Sequence, residues 1–395
     1  MKTIKKIILV LLIIILIIAL GISCLLIYFT KNDYRPVPFE NLTVKNVITS
    51  HHIDSSTFTF ITWNTGYCGL DKNMDFFYDG GNKVRPDKLS FQKNLNGVFD
   101  FLSGNDSIDF FFLQEVDTFS KRSYYTNQAD LFSKALPAYA YAFATNYNVE
   151  FVPLPVTNPM GRVLSGIMTF SKYAPAECRR YSYPVNYSWP MSIFMLDRCF
   201  IMQRYKLPGQ KELVLINLHN SAFSDADVLR QYELWMLRSF LLSEYDKGNY
   251  VIAGGDWNQN TPDYNALTYK SGFNKKTGLP GIPADYLPKG WKYAHDTLLP
   301  TNRDVNTAYY HRLTPTTIID FFITSPNIKV EQINVINCGF EFSDHQPVFM
   351  RVRLNSDPLA GSNKEIRNIV AEMQDSILKL NEKINPKIFS AQKTK

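Results

Sequence analysis

Eight residues of chemically useful type close short apolar runs along this chain: Asn64, Glu115, His219, Asp256, Asn258, Asp320, Asp344 and His345. They sit in six motifs, TWNTG at 62–66, LQEVD at 113–117, NLHNSA at 217–222, GGDWNQN at 254–260, IIDFF at 318–322 and SDHQPV at 343–348. The set is one of hard oxygen donors plus two imidazoles, which suits Mg²⁺-assisted chemistry at phosphorus. Each motif alone is weak; their order and company carry the reading.

Phosphodiester cleavage must neutralise charge growing on the non-bridging oxygens, activate a poor nucleophile and stabilise a departing oxygen. Glu115 ends a Phe-rich run, where a carboxylate is held at the rim of a dry core and can ligate a cation. As a single residue it would equally read as a strand-end charge in water. Asp256 and Asn258 are two apart, so both project to one side of an extended strand end. Asp there can orient water, and Asn can donate to a phosphate oxygen without adding charge; an Asx-rich turn explains the pair equally well. An Asp partner fixes the tautomer of an imidazole and raises its pKa, which makes Asp320 and His345 a proton-transfer pair. Adjacent Asp344 faces a metal more naturally than its own neighbour. His219 can stabilise the leaving oxygen; for a lone His a structural role is the ordinary one, but only six occur in the chain and two lie in these motifs.

The elements that must position these side chains are short. Ten runs, at 58–65, 109–116, 139–147, 166–173, 200–207, 212–219, 250–258, 318–325, 330–338 and 346–354, are rich in Phe, Tyr and β-branched residues, and several are continuously apolar over four to six residues, as expected for sheet strands covered on their inner faces. Helical spacing marks 87–102 through Leu89, Leu95, Val98, Phe99 and Leu102. It marks 225–243 through Leu229, Tyr232, Leu234, Trp235, Leu237, Phe240 and Leu241, with Asp225 or Asp227 as cap. This alternation predicts two packed sheets with helices outside. Residues 261–316, rich in Pro, Gly, Asn and Thr, read as a long surface excursion. Ile366, Ile369, Val370, Met373, Ile377 and Leu380 give 363–385 a helical stripe that docks on the domain or pairs with a partner helix.

The chain opens with Lys2, Lys5 and Lys6 and then an apolar stretch from Ile7 to Phe29. At about 1.5 Å per residue it covers roughly 34 Å, enough for a hydrocarbon core of about 30 Å. A cleaved signal peptide and a lipoprotein site at Cys24 fit less well, since no small-x-small site follows and the run continues past the cysteine. The preceding lysines place the bulk of the chain outside the cytoplasm. The formal charge is +6. Residues 1–33 carry +3 and residues 356–395 carry +2, leaving 34–355 close to neutral. That argues against a strong general attraction for nucleic acid, though not against a local basic patch. Of five cysteines, Cys178 and Cys199 could pair in an oxidising compartment or remain separate buried thiols.

In their order, the motifs resemble the endonuclease/exonuclease/phosphatase superfamily, with GGDWN and SDHQPV the most specific part and the likeness extending over roughly 56–355. The resemblance implies a four-layer α-β-β-α sandwich of two mostly antiparallel sheets with flanking helices, here preceded by one N-terminal transmembrane helix. Residue by residue it implies a metal site at Asn64, Glu115 and Asp344, and phosphate binding by Asn64 and Asn258. Asp256 and Asn258 correspond to a water-orienting and phosphate-binding pair, Asp320 to the partner of a catalytic His345. His219 corresponds to the additional histidine of the deoxyribonuclease and sphingomyelinase branches. Its acidic partner in the deoxyribonuclease branch has no counterpart in GRVLSGIMTF at 161–170, and LHNSA is not the usual sphingomyelinase motif. Arg162 and Arg303 are candidate phosphate contacts or ordinary surface arginines.

The sequence thus predicts a basic stub at 1–6, an anchor at 7–29, a tether at 30–55, a catalytic domain at 56–355 and a helical tail at 356–395. The expected activity is hydrolysis of phosphodiester bonds with Mg²⁺, or Mn²⁺ in its place, in a single-pass membrane protein. The substrate class stays open between an extracytoplasmic nucleic acid and a phospholipid or sphingomyelin head group. A non-catalytic binding module on the same fold ranks last, because all eight positions are filled.

Overall fold

Phe58, Phe60, Phe110 and Phe112 pack into one buried cluster while Ile61, Trp63, Phe111 and Leu113 pack into another. Successive side chains of a strand point to opposite faces, so these strands are apolar on both sides and read as continuous runs. Each buried Phe contributes about 2–3 kcal/mol. The structure, a computed structural model, describes residues 2–47, 53, 55–222, 227–264, 279–355 and 367.

Two sheets result. One runs β14 (Ile328–Val335), β15 (Val348–Leu354), β2 (Thr57–Asn64), β3 (Phe110–Asp117), β5 (Gly161–Ser171), β4 (Ala140–Val152). The other runs β1 (Phe39–Asn41), β6 (Glu177–Ser182), β7 (Cys199–Lys206), β8 (Glu212–His219), β9 (Tyr250–Asp256), β13 (Asp320–Thr324), β10 (Lys292–Ala294). Short β11 (Asn302–Arg303) and β12 (Thr316–Thr317) pair apart from both. Every neighbouring pair is antiparallel except β2/β3 and β8/β9. Those two parallel pairs need crossovers, supplied by α2 (Lys88–Gly104) and α4 (Asp227–Asp246).

Between the sheets lies a core with Phe60, Phe112, Leu215, Ile252, Phe322 and Met350. Outside the first sheet, α2 buries Phe91, Leu95, Val98 and Leu102, joined by α3 (Gln128–Ala135) through Phe132. Outside the second, α4 buries Leu234, Leu237 and Leu241 against Val214 and Ile216. The four-layer sandwich follows. In the stripe expected on α4, Tyr232, Trp235 and Phe240 are only half-buried. Asp227 is the first helical residue, and Asp225 lies outside the described residues, as does the 363–385 stripe.

Three observations add to or correct the sequence reading. The segment expected to be a tether contributes β1, which pairs with β6. The excursion at 261–316 contributes β10, β11 and β12. Cys178 and Cys199 are both free and buried: on the β6/β7 ladder Cys178 faces Gln203 and Cys199 faces Ser182, opposite ends of the pairing. The N-terminal helix α1 (Lys2–Lys31) is the candidate span, with none of its most apolar window buried in the molecule.

Candidate active site

The carboxyl ends of both parallel pairs come to one edge of the sandwich. On the second sheet Gly254 and Gly255 make this possible. A Cβ at Gly254 would lie 2.3 Å from the Phe322 ring, and one at Gly255 would lie 2.0 Å from the Leu218 carbonyl oxygen. Gly255 also has φ +146°, which L side chains rarely adopt. This close approach sets the register in which His219, Asp256 and Asp320 lie side by side on β8, β9 and β13.

On the first sheet β3 carries a bulge between Leu113 and Val116, and Glu115 within it has φ +54°. A bulge re-aims a side chain at a strand end, here into the cleft. The sheets are joined just behind this edge: Gln114 Nε2 donates to Asn217 Oδ1 at 2.8 Å, and Asn217 Nδ2 donates to the Met168 carbonyl at 3.0 Å.

Asp256 is the hub. Asn64 Nδ2 donates to Asp256 Oδ2 at 3.0 Å and lies 3.3 Å from Glu115 Oε1. His219 Nε2 is 3.4 Å from Asp256 Oδ2 and 4.0 Å from Glu115 Oε1. His345 Nε2 is 3.8 Å from Asp256 Oδ2 and 3.9 Å from Asp344 Oδ2, while its Nδ1 bonds Asp320 Oδ2 at 2.8 Å. The Asp256 and Asn258 pair is also an Asx turn: Asn258 N donates to Asp256 Oδ1 at 2.9 Å with Asn258 at φ +52°. Asn258 Nδ2 donates to the Asn220 carbonyl, and the residue lines the cleft. All eight sequence-predicted residues meet here; six line the cleft, while Asp320 stands behind His345 and Asn64 behind Asp256 and Glu115.

Electrostatics divide the site. Burial raises the Asp256 pKa above the usual carboxylate range, opposed by His345 and assisted by Asp320. Burial would lower His345, but the Asp320, Asp344 and Asp256 carboxylates outweigh it and hold the imidazole above its ordinary value. His219 goes the other way: burial, then Arg198, depress it well below 6.5, and its Nδ1 has no partner among the described residues. It is therefore a neutral hydrogen-bond donor at neutral pH. Burial also raises Glu115, with Arg122 opposing and Asp344 assisting.

A family model described as "Endonuclease/Exonuclease/phosphatase family" matches residues 61–345. The chain belongs to the endonuclease/exonuclease/phosphatase family. Among solved structures it is similar to an endonuclease/exonuclease/phosphatase from Beutenbergia cavernae DSM 12333 at 15% identity and TM-score 0.52, covering 77% of this chain and 73% of that one. A protein of the same description from Bacteroides vulgatus matches at 15% identity and TM-score 0.48, covering 76% and 100%. D. rerio TDP2, crystallised with a single-strand DNA product, matches at 15% and TM-score 0.45, again covering 76% and 100%. No curated protein matches the sequence.

In this endonuclease/exonuclease/phosphatase domain the donors for a divalent cation are hard oxygens. Among the described residues no Lys or Arg forms an ion pair with Glu115 or Asp344; His219 and His345 are within 4.0 Å, and Arg122 and Arg303 act on them only from farther away. Two carboxylates with no direct Lys or Arg partner, beside the Asn64 amide, fit a hard divalent ion. Asp256, Asp320 and His345 also offer ligand atoms within 4.8 Å of one another. His345 Nδ1 is already committed to Asp320, which favours proton handling over ligation there.

Sequence reasoning missed Asn302, whose Nδ2 lies 3.0 Å from His345 Nε2. It sits in TNRD, where attention falls on the charged neighbour. Arg303 itself is buried, and its Nη atoms bond the carbonyls of Leu70, Asp71, Met74, Asp304 and Thr307, so it braces two loops rather than a phosphate. Arg162 is likewise engaged, by Asn148 Oδ1 at 2.7 Å. Arg303 reaches the cleft wall together with Arg122 and Arg198. Arg122 is paired bidentately with Asp117 over the Tyr67 ring. Among the described residues Arg198 donates only a 3.4 Å bond, to the His219 carbonyl.

Proposed function

We propose that the chain is a membrane-tethered, Mg²⁺-dependent phosphoesterase that hydrolyses phosphodiester bonds by in-line attack of water. The observation that carries this reading is the buried Asp256 carboxylate within 3.8 Å of two imidazoles and across from the Glu115–Asp344 pair. Glu115, Asp344 and Asn64 would hold the cation, and Mn²⁺ suits the same donors. When bound it supplies positive charge to a non-bridging phosphoryl oxygen.

The chain's own groups do the rest. Asn258 offers its second amide N–H to the phosphate, while the Asn64 amide N–H groups hold Asp256 and Glu115. Asp256 orients the attacking water, and Asp256 with His345 shares its proton as one coupled unit, with Asp320 fixing the ring through Nδ1. His219, being neutral, stabilises the leaving oxygen by donating from Nε2 rather than by surrendering a proton. The lysines before α1 support an orientation with this domain outside the cytoplasm.

The test is Mg²⁺-dependent turnover by the full chain of plasmid DNA, RNA, sphingomyelin, phosphoinositides and bis-p-nitrophenyl phosphate. Asp256→Asn and His345→Ala should each lower kcat/KM by roughly 10³-fold. Equal rates in the wild type and both variants would reject the assigned site. DNA cleavage that falls steeply with salt would point to the nuclease reading.

A further inference from the structure

The end of α1 is fastened to the catalytic domain. The Phe29 ring stacks on Phe151 with centroids 6.5 Å apart and meets Phe194 edge-on at 5.8 Å. Trp189 Nε1 donates to Thr30 Oγ1 at 3.1 Å. The chain then runs directly into β1, with Ser182 Oγ donating to the Val37 carbonyl at 2.8 Å and Ser182 N to the Pro38 carbonyl at 2.9 Å. Phe29 is the last residue of the apolar stretch. If α1 spans a bilayer, its partners Phe151, Trp189 and Phe194 stand at the level of the membrane surface.

The two loops that grip α1 also expose large apolar side chains. Beyond Phe151 the β4–β5 hairpin presents Leu154 and Val156, the latter 83% exposed. The turn leading to Phe194 presents Trp189, 60% exposed, and Met191. Water offers such side chains nothing, whereas the headgroup layer accepts Trp and shallowly buried aliphatic groups. The same loops wall the catalytic cleft. Tyr147 on β4 donates from its hydroxyl to the Phe194 carbonyl at 3.1 Å, and Tyr147, Met160, Met195, Leu196 and Arg198 line the cleft with Glu115 and His219.

We propose that the hairpin tip at 151–156 and the turn at 189–194 form an apolar ledge seated in the leaflet from which α1 emerges. The cleft then opens onto the headgroup layer, and its substrate is a phosphoester carried by a membrane lipid. The substrate half rests on the phosphoesterase reading; the seating half does not. Near neutrality over 34–355 suits a lipid headgroup better than the dense charge of a nucleic acid.

The full chain reconstituted in vesicles of phosphatidylcholine with brominated acyl chains provides the first measurement. Trp189 is the exposed tryptophan of the five; Trp63, Trp257 and Trp291 are buried and Trp235 half-buried. The emission that Trp189→Phe removes should be quenched by bromine, and the remainder should not. Second, Val156→Glu and Met191→Glu should each lower hydrolysis of vesicle sphingomyelin, phosphatidylcholine or phosphoinositide on the order of tenfold, the effect of one lost apolar contact. Neither should change the rate on soluble bis-p-nitrophenyl phosphate. Unquenched Trp189 emission overturns the ledge. Quenching with undiminished lipid turnover in both variants, or cleavage of DNA with vesicle lipids untouched, overturns the lipid substrate. Quenching with no turnover of any phosphoester supports the ledge and removes the phosphoesterase reading alone.

Discussion

The units β2–α2–β3 and β8–α4–β9 are the same construction used twice, and they deliver different chemistry. Each is a strand, a covering helix and a parallel strand, buried in the centre of its sheet. Each brings two polar side chains to the same edge of the sandwich. The first ends in Asn64 and Glu115, the second in His219 and Asp256. Beside the first stands Asp344, a carboxylate; beside the second stands the Asp320–His345 pair. On the proposed reading one unit concentrates negative charge to hold a cation, and the other arranges groups to hold and pass protons. The backbone supplies position, and the identity of a few terminal side chains supplies function.

Metal titration of two variants sharpens this division most. Glu115→Gln should bind Mg²⁺ roughly 10²-fold more weakly and regain most of its rate as Mg²⁺ is raised. Asp256→Asn should lose roughly 10³-fold in kcat and regain none of it at any Mg²⁺ concentration. Rescue of both variants to the same degree would erase the distinction and make the two carboxylates members of one metal site.

The units also differ in how their helices are fastened, which gives a second and smaller effect. Glu244 near the end of α4 accepts both Nη groups of Arg204 on β7 at 2.7 Å and also pairs with Lys247. Burial works against this carboxylate, but Arg204 and Lys247 outweigh it and hold its pKa at about 2, below the ordinary 4.5. A depressed folded-state pKa contributes stability that is full above the unfolded value and is lost as pH falls through the folded one. The contribution at neutral pH is roughly 3 kcal/mol. Urea midpoints should accordingly hold steady above pH 5 and fall between pH 4.5 and 2. Glu244→Gln should lower the plateau and flatten that part of the slope.

Strand ends were legible in the sequence because a buried strand must stop at the first polar residue, and the site lies at those stops. All ten expected runs contain strands, with boundaries shifted by a few residues. What was hidden depended on partners distant in the chain. β6, ECRRYS, reads as polar, yet Arg180 is fully buried because it donates to the carbonyls of Thr145 and Asp197. Asn302 lies in a stretch without periodicity, and only its contact with His345 gives it meaning. β1 is a three-residue edge whose pairing with β6 no local pattern announces. The Glu115 bulge likewise leaves no mark in LQEVD.

The smallest expected effect lies on the α2 side. Asn94, buried in α2, donates from Nδ2 to Asp71 Oδ2 at 2.8 Å and to the Cys68 carbonyl at 3.1 Å, tying the helix to the loop that follows Asn64. Its donor is an uncharged amide that does not titrate. Asn94→Ala should cost about 1–2 kcal/mol, most of it from stranding those two acceptors. kcat should change little, because Asn64 and Glu115 are held by the β2/β3 ladder rather than by α2. A tenfold fall in kcat at saturating Mg²⁺, with the fold intact, would mean that the helix positions the cation-binding side chains, and the two units would then differ in construction as well as in chemistry.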